Sequence, residues 1–160
     1  MNFEYLPQGI VTIDGVSFKF GDTRELIREK LSELHKEDDK GVSFDDSDTG
    51  KKLFQRRDVY QDHKPEMSLF FLGYNKLDLL TEIEIHQCDQ IKVINSSFSF
   101  DQDLDSIAVD LNNYSIGVKK GKGEYFFKDL GIVILDKEEM GGDGNTLGYF
   151  YCSSDVSHLI

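Results

Sequence analysis

The residue types best suited to chemistry are His86 and Cys88, which lie two positions apart in the segment TEIEIHQCDQ. Residues two apart on a strand point to the same face, so this spacing can place an imidazole base beside a thiol. Nucleophilic catalysis requires such a pair. No local catalytic motif accompanies it, and the chain contains neither G-x-S-x-G nor G-x-G-x-x-G. The sequence favours a partly exposed strand histidine beside a semi-buried cysteine, with an unfamiliar enzyme site as the alternative.

Metal and phosphate sites are not supported by spacing. The stretch from Asp45 to Gly50 resembles the start of a calcium loop, but its twelfth position is Arg56, where a bidentate Glu is needed. No histidine stands in HExxH, and two cysteines are too few for a zinc site or a disulfide framework. The segment GVKKGKG lacks phosphate-loop spacing and predicts a tight turn. We expect no metal and no cofactor.

Two strand pairs, each followed by a helix, are the elements nearest the candidate residues. Asp14-Gly15 predicts a hairpin turn, and Asn95-Ser96 stands at the second turn. The first helix is predicted to be capped by Asp22 with Glu25 completing a capping box. Its apolar stripe is Leu26, Ile27, Leu31 and Leu34, with Arg24, Glu29, Lys30 and Glu33 facing water. The second helix is predicted to be capped by Asp103 and to bury Leu104, Ile107, Ala108 and Leu111.

The rest of the chain predicts strands joined mostly by short turns. The alternation in TEIEIHQ indicates one wet face, whereas SLFFL and GIVIL indicate strands covered on both faces. Strands outnumber helices, which predicts the α+β class with a mainly antiparallel sheet and two helices. The strands are predicted at 53–60, 67–73, 79–87, 124–128, 131–135 and 147–152, with a short one at 115–119.

A shift of 80 residues aligns the chain with itself. GIVTIDGVSFKFGDTRELIREKL and QIKVINSSFSFDQDLDSIAVDL match through strand, turn and helix, so that Phe18 falls on Phe98 and Ile27 on Ile107. The match predicts a tandem β-β-α-β-β-β repeat, about 9–88 and 90–153, within one compact unit of residues 1–160. Two segments break the symmetry: the Asp-rich stretch 37–52, either disordered or a binding loop, and the glycine-rich acidic stretch 137–146.

Charge narrows the classes of partner. Acidic residues number 30 against 18 basic ones, a formal net charge of −12, which argues against nucleic acid and anionic membranes as partners. The second half carries most of the imbalance, with 14 acidic and 6 basic residues. Either the acid keeps the surface solvated, or it meets a basic protein. The candidate partner-binding residues are Asp101, Asp103, Asp105, Asp110, Glu138, Glu139 and Asp143. The N-terminal sequence has no secretory pattern, so we expect a cytoplasmic protein.

In general character the chain resembles the immunity proteins that bacteria pair with polymorphic toxins. The net charge, the aromatic stretches YFFKDLGIVIL and MSLFFLGY, and the lack of a signal carry this resemblance. The stretch FGDTRELIREKL and the tandem plan are also similar to beta-lactamase inhibitor protein-like domains. Both resemblances imply binding rather than catalysis. We therefore expect a non-enzymatic module that neutralises a basic toxin by occlusion, with a structural or regulatory subunit as the alternative and a small enzyme as the less favoured one. The oligomeric state stays open.

Overall fold

The computed structural model describes residues 1–32, 34–43, 52–61 and 68–156. The described chain contains fourteen strands, two α-helices and one 3-10 helix, Lys128–Leu130. The helices are α1, Arg24–Leu31, and α2, Leu104–Leu111. In chain order the strands are β1 Asn2–Leu6, β2 Ile10–Ile13, β3 Val16–Lys19, β4 His35–Glu37, β5 Lys40–Ser43, β6 Lys52–Gln61, β7 Leu69–Tyr74, β8 Leu80–Gln87, β9 Gln90–Val93, β10 Ser96–Phe98, β11 Gly117–Lys120, β12 Glu124–Phe127, β13 Ile132–Asp136 and β14 Leu147–Ser153.

The strands form a small and a large sheet. The small sheet has the order β10-β9-β1-β2-β3, and all its pairs are antiparallel except β1 with β9. The large sheet is antiparallel, with the order β11-β12-β13-β14-β8-β7-β6-β4, and β5 pairs with another part of β6. Each half of the chain therefore supplies one side of the large sheet, and β8 and β14 meet at its centre.

One hydrophobic core joins both sheets and both helices. It contains Phe3 and Ile91 of the small sheet, Ile27 and Ile107 of the helices, and Ile83 of the large sheet, all with less than 1% of their surface exposed. The small sheet and the helices thus pack on one face of the large sheet. The predicted α+β class with a mainly antiparallel sheet and two helices is confirmed. Among the described residues, neither helix is long and apolar enough to cross a membrane.

The two hairpins and helices lie 80 positions apart in the chain, as the aligned sequences predict. Strand β2 begins 80 residues before β9, and α1 begins and ends 80 residues before α2. The Asp14-Gly15 turn is confirmed, with φ angles of 46° and 85° that the glycine adopts without strain. In the second hairpin β10 already begins at Ser96, so the turn lies at Ile94 and Asn95, one residue earlier than predicted. The tandem repeat itself stays a prediction.

Three short strands escaped the sequence analysis. Strand β1 stands between the two hairpins in the small sheet, although no repeat unit contains it. Strands β4 and β5 occupy part of the polar stretch 37–52 and its N-terminal flank, and both pair with β6. Residues 44–51 lie outside the described residues. Local polarity predicted a loop here because the side chains of β4 are exposed and carry no hydrophobic alternation.

The first helix differs from its prediction at both faces. Arg24, expected to face water, has only 5% of its surface exposed, whereas Leu26 and Leu34 of the predicted stripe are exposed. The guanidinium of Arg24 contacts the fully buried carboxylate of Asp58 on β6, which recruits the arginine to the core side. The N-cap is Thr23 rather than Asp22, whose carboxylate accepts a hydrogen bond from the Lys19 backbone instead.

The second helix matches its prediction. Asp103 is the N-cap, and the predicted set Leu104, Ile107, Ala108 and Leu111 is buried. The pattern succeeded because all four side chains are apolar and fall on one face of a regular helix. No ion pair competes for that face.

Candidate protein-binding face

The structure separates the two residues of the candidate enzyme site. His86 lies on β8, where its ring contacts Phe71 and Tyr149, whereas Cys88 follows the end of the strand and belongs to the main core. Burial raises the pKa of the Cys88 thiol to about 12. The expectation that the two side chains share a face is wrong, because the strand ends at Gln87. A buried neutral thiol in apolar surroundings is unsuited to nucleophilic attack.

Metal coordination finds no support in the described part of the chain. Those residues contain no group of three or more His, Cys, Asp or Glu side chains that could hold a metal ion. The calcium-like stretch from Asp45 to Gly50 lies outside the described residues. The Gly117–Gly123 segment forms β11 and the turn into β12, as predicted.

The side of the large sheet opposite the helices forms the surface that we call the outer face. Strand alternation builds it: on β8, Ile83 and Ile85 enter the core, so Glu82, Glu84 and His86 must point away from it. The same rule sends Tyr149 and Tyr151 of β14 outward while Phe150 and Cys152 enter the core. Outward side chains from the other strands are Arg57, Phe71, Glu124, Phe126, Val133 and Leu135.

A row of aromatic side chains crosses the middle of the outer face. The ring of His86 lies 4.7 Å from that of Phe71 and 5.1 Å from that of Tyr149, measured between centroids. Tyr149 is followed by Tyr151, with centroids 6.4 Å apart and ring planes at 13°. Four strands contribute to this row if Arg57, which stacks on Phe71, is included. The rings are held in place by neighbours on adjacent strands, so they form a rigid surface.

A second, smaller apolar cluster underlies the row. Phe126, Val133 and Tyr151 are each less than 9% exposed, and Leu135 and Tyr149 pack against them. This cluster stands apart from the main core, on the other side of the sheet. Large apolar side chains on a face that no described strand or helix covers are typical of an interaction surface.

The outer face contains an open pocket of about 340 Å³, which we call the tyrosine–glutamate pocket. It is lined by three carboxylates, two phenols and two aliphatic side chains: Glu82, Glu84, Glu124, Tyr149, Tyr151, Val133 and Leu135. The carboxylates make some contacts of their own. Glu82 accepts a 2.9 Å hydrogen bond from the Tyr151 hydroxyl, and Glu84 lies 3.3 Å from His86 Nε2 and 4.0 Å from Arg57 Nη1.

The pocket has a negative potential that affects its phenols. The pKa values of Tyr149 and Tyr151 are both raised, first by burial and further by the neighbouring glutamates. Both phenols therefore stay protonated and can donate hydrogen bonds. A partly desolvated site with carboxylates and neutral rings favours a cationic ligand group over an anionic one.

The seven predicted acidic residues do not form one cluster, and several have local structural roles. Asp103 caps α2 by accepting hydrogen bonds from the Ser106 amide, the Ser106 hydroxyl and the Asn145 amide. Asp105 accepts hydrogen bonds from Lys119 and Tyr125, and Asp101 accepts one from Ser99. Asp110 is exposed on the side of α2 away from the core. Their role in partner binding stays a prediction.

The glycine-rich loop 137–146 lies closest to the outer face. A pocket of about 410 Å³ joins them, lined by His86 of the outer face and by Lys137, Met140 and Gly142 of the loop. Glu138, Glu139 and Asp143 are exposed in this loop. Of the predicted residues, these three are therefore the ones placed at the rim of the outer face.

The sequence contained signals for part of this surface. Alternation in TEIEIHQ predicted a wet face on the strand that carries Glu82, Glu84 and His86, and YFFKDLGIVIL was noted for its aromatic content. No local signal could show that β14 pairs with β8, which brings Tyr151 directly opposite Glu84. The sequence analysis therefore chose residues by charge and missed the aromatic centre.

Comparison with known proteins leaves the chain without a recognised relative. No protein-family model matches it, and no significant match was found among curated proteins or solved structures. Its functional interpretation therefore depends on the geometry of the outer face.

Proposed function

We propose that this chain is a non-enzymatic protein-binding module whose outer face binds a basic protein. One observation carries the proposal: a face of the large sheet presents packed aromatic rings and glutamates, and no described helix or strand covers it. Aromatic side chains supply much of the binding energy at protein interfaces, and complementary charge accelerates and selects the encounter. The net charge of −12 adds long-range attraction for a basic partner.

The most concrete form of this proposal is an immunity protein that inhibits a basic toxin in the cytoplasm. Carboxylates on the outer face and in loop 137–146 would take the place of the toxin's anionic substrate. The aromatic row would supply the central, desolvated contacts. Inhibition would then result from occlusion of the toxin's active site and would require no chemistry from this chain.

Affinity capture with matched variants tests the proposal. The tagged wild-type chain is compared with the double variant Glu124→Lys and Leu135→Asn on the outer face. The control is Glu29→Lys with Leu26→Asn, which makes the same two changes on the exposed side of α1. Thermal melts confirm that all three chains fold. Lysate proteins are applied at low salt, eluted with rising salt, and assayed for toxic activity with and without the chain.

We expect a basic protein that the wild type and the α1 control retain and the outer-face variant loses. Its activity should fall when the wild-type chain binds. Equal retention by the outer-face variant would contradict the assignment of this surface. Selective retention without any loss of activity would favour a structural or regulatory subunit over an inhibitor.

A further inference from the structure

Cations already cover aromatic rings at two places on the outer face. The guanidinium of Arg57 lies 4.6 Å from the centroid of Phe71, and the ammonium of Lys120 lies 5.3 Å from that of Phe126. In the order of strands, Phe71 on β7 and Phe126 on β12 flank β14, which carries Tyr149 and Tyr151. The face therefore binds cations over its flanking rings through its own side chains.

The central ring pair has the strongest attraction for a cation and the least compensation. Among the described residues, those that line the tyrosine–glutamate pocket include three glutamates and no lysine or arginine. Arg57 approaches only one of them, Glu84, at 4.0 Å. Glu82 receives a neutral hydroxyl donor, which leaves its negative charge in place. The pocket thus combines excess negative charge with two tyrosine rings.

We propose that this pocket receives an arginine side chain of the basic partner, an inference that rests on the proposed protein-binding function. A planar guanidinium suits two nearly parallel tyrosine rings, and its several N–H groups suit carboxylates on both sides. Val133 and Leu135 provide an apolar surface for the three methylenes of the arginine stem. A lysine ammonium is more strongly hydrated and cannot make the same planar contacts.

Nuclear magnetic resonance titration with short peptides tests the pocket without the partner. The probes are acetyl-Gly-Arg-Gly amide, the same peptide with lysine, and the same peptide with citrulline, which keeps the shape of arginine without its charge. The proteins are the wild type, the pocket variant Glu82→Gln with Glu124→Gln, and the control variant Glu25→Gln with Glu29→Gln on α1. Both variants remove two negative charges, so they differ only in where the charge is lost.

We expect saturable amide shifts confined to residues 82–84, 133–135 and 149–151 when the arginine peptide is added. Affinity should fall at least about fivefold in the pocket variant and change little in the α1 control, because each lost pair acts only locally. The citrulline peptide should give no saturable shift, and the lysine peptide should bind at least about threefold more weakly.

Three results would overturn the inference. These are equal affinity of the wild type and the pocket variant, equal affinity for lysine and arginine peptides, or non-saturating shifts spread over all acidic surfaces. If the outer-face variant still loses its captured partner under any of these results, the protein-binding proposal stands and only the arginine assignment fails. If capture is unaffected by the outer-face variant, the proposed binding surface itself fails, whatever the peptides do.

Discussion

The two helices meet the core with opposite chemistry at matching positions. Helix α1 presents Arg24 and Arg28, and α2, exactly 80 residues later, presents Leu104 and Ala108 in their places. The adjacent positions agree, since Ile27 matches Ile107 in type and burial. One half of the molecule therefore uses a buried ion cluster where the other uses apolar packing.

Asp58 is the centre of the buried ion cluster. Its carboxylate is fully buried and accepts hydrogen bonds from Arg24 Nε and Nη2 at 3.1 and 2.7 Å and from Arg28 Nε and Nη2 at 2.8 and 2.6 Å. Asp39 closes the other side of Arg24 with two bonds of 2.9 and 3.0 Å. Burial raises the pKa of Asp58, but the arginines outweigh it and the pKa is lowered overall.

The comparison shows that one backbone arrangement accepts two kinds of packing with different sensitivities. An ion cluster is strongly destabilised when one member is removed, because the remaining charge stays buried without a partner. Apolar packing loses free energy in proportion to the volume removed. The cluster also joins Glu37 and Asp39, next to and within the β4–β5 turn, to α1, which the apolar helix has no means of doing.

The largest effect is expected from Asp58→Ala. Arg24 and Arg28 would face each other in a buried site without their shared carboxylate, so the free energy of unfolding should fall by about 3–5 kcal/mol. Urea unfolding followed by circular dichroism measures the change. Asp110→Ala, on the exposed side of α2, is the control and should change the value by less than about 0.5 kcal/mol. A loss below about 1 kcal/mol for Asp58→Ala would contradict the central role of this carboxylate.

Making the first half resemble the second should restore the stability. The triple variant Arg24→Leu, Arg28→Ala and Asp58→Leu replaces the cluster by apolar side chains, and such replacements are neutral or stabilising by about 1–4 kcal/mol. We expect it to be at least as stable as the wild type in the same urea experiment. A triple variant as unstable as Asp58→Ala would mean that the ion cluster is needed for this arrangement of α1.

Acid should separate the wild type from the triple variant. The folded-state pKa of Asp58 lies below its unfolded value, so its contribution is complete above about pH 4 and is lost as the pH falls toward the folded pKa. The pKa of Asp39 is lowered in the same direction by Arg24. Between pH 5 and pH 2 the wild type should therefore lose more free energy of unfolding than the triple variant. Parallel losses would show that the cluster does not titrate as inferred.

The smallest effects are expected at the helix caps, which also lie 80 residues apart. Asp103 accepts bonds from Ser106 and Asn145, whereas the Thr23 hydroxyl accepts one bond of 3.3 Å from the Leu26 amide. Asp103→Ala should lower the free energy of unfolding by about 1–2 kcal/mol and Thr23→Ala by about 0.5 kcal/mol. Thermal melts of the two variants compare them directly. An equal or reversed order would show that the bond to Asn145 contributes nothing.

Much of the fold followed from local patterns. Strand alternation predicted the main strands of the large sheet, the Asp-Gly pair predicted the first hairpin, and apolar spacing predicted the buried face of α2. The same spacing rule misjudged α1, because a rule based on polarity sends Arg24 to water. Only the contact with Asp58, 34 residues away in the chain, makes burial of that arginine favourable.

The sequence by itself determined the α+β class, the placement of both helices and the acidic character of the chain, because these depend on neighbouring residues or on composition alone. The tertiary structure decided which charges are buried and which aromatic rings share a surface. The outer face arises because β14 pairs with β8, strands more than 60 residues apart in the chain. Such pairing is set by the packing of the whole core, so no local pattern could place Tyr149 and Tyr151 beside Glu82 and Glu84.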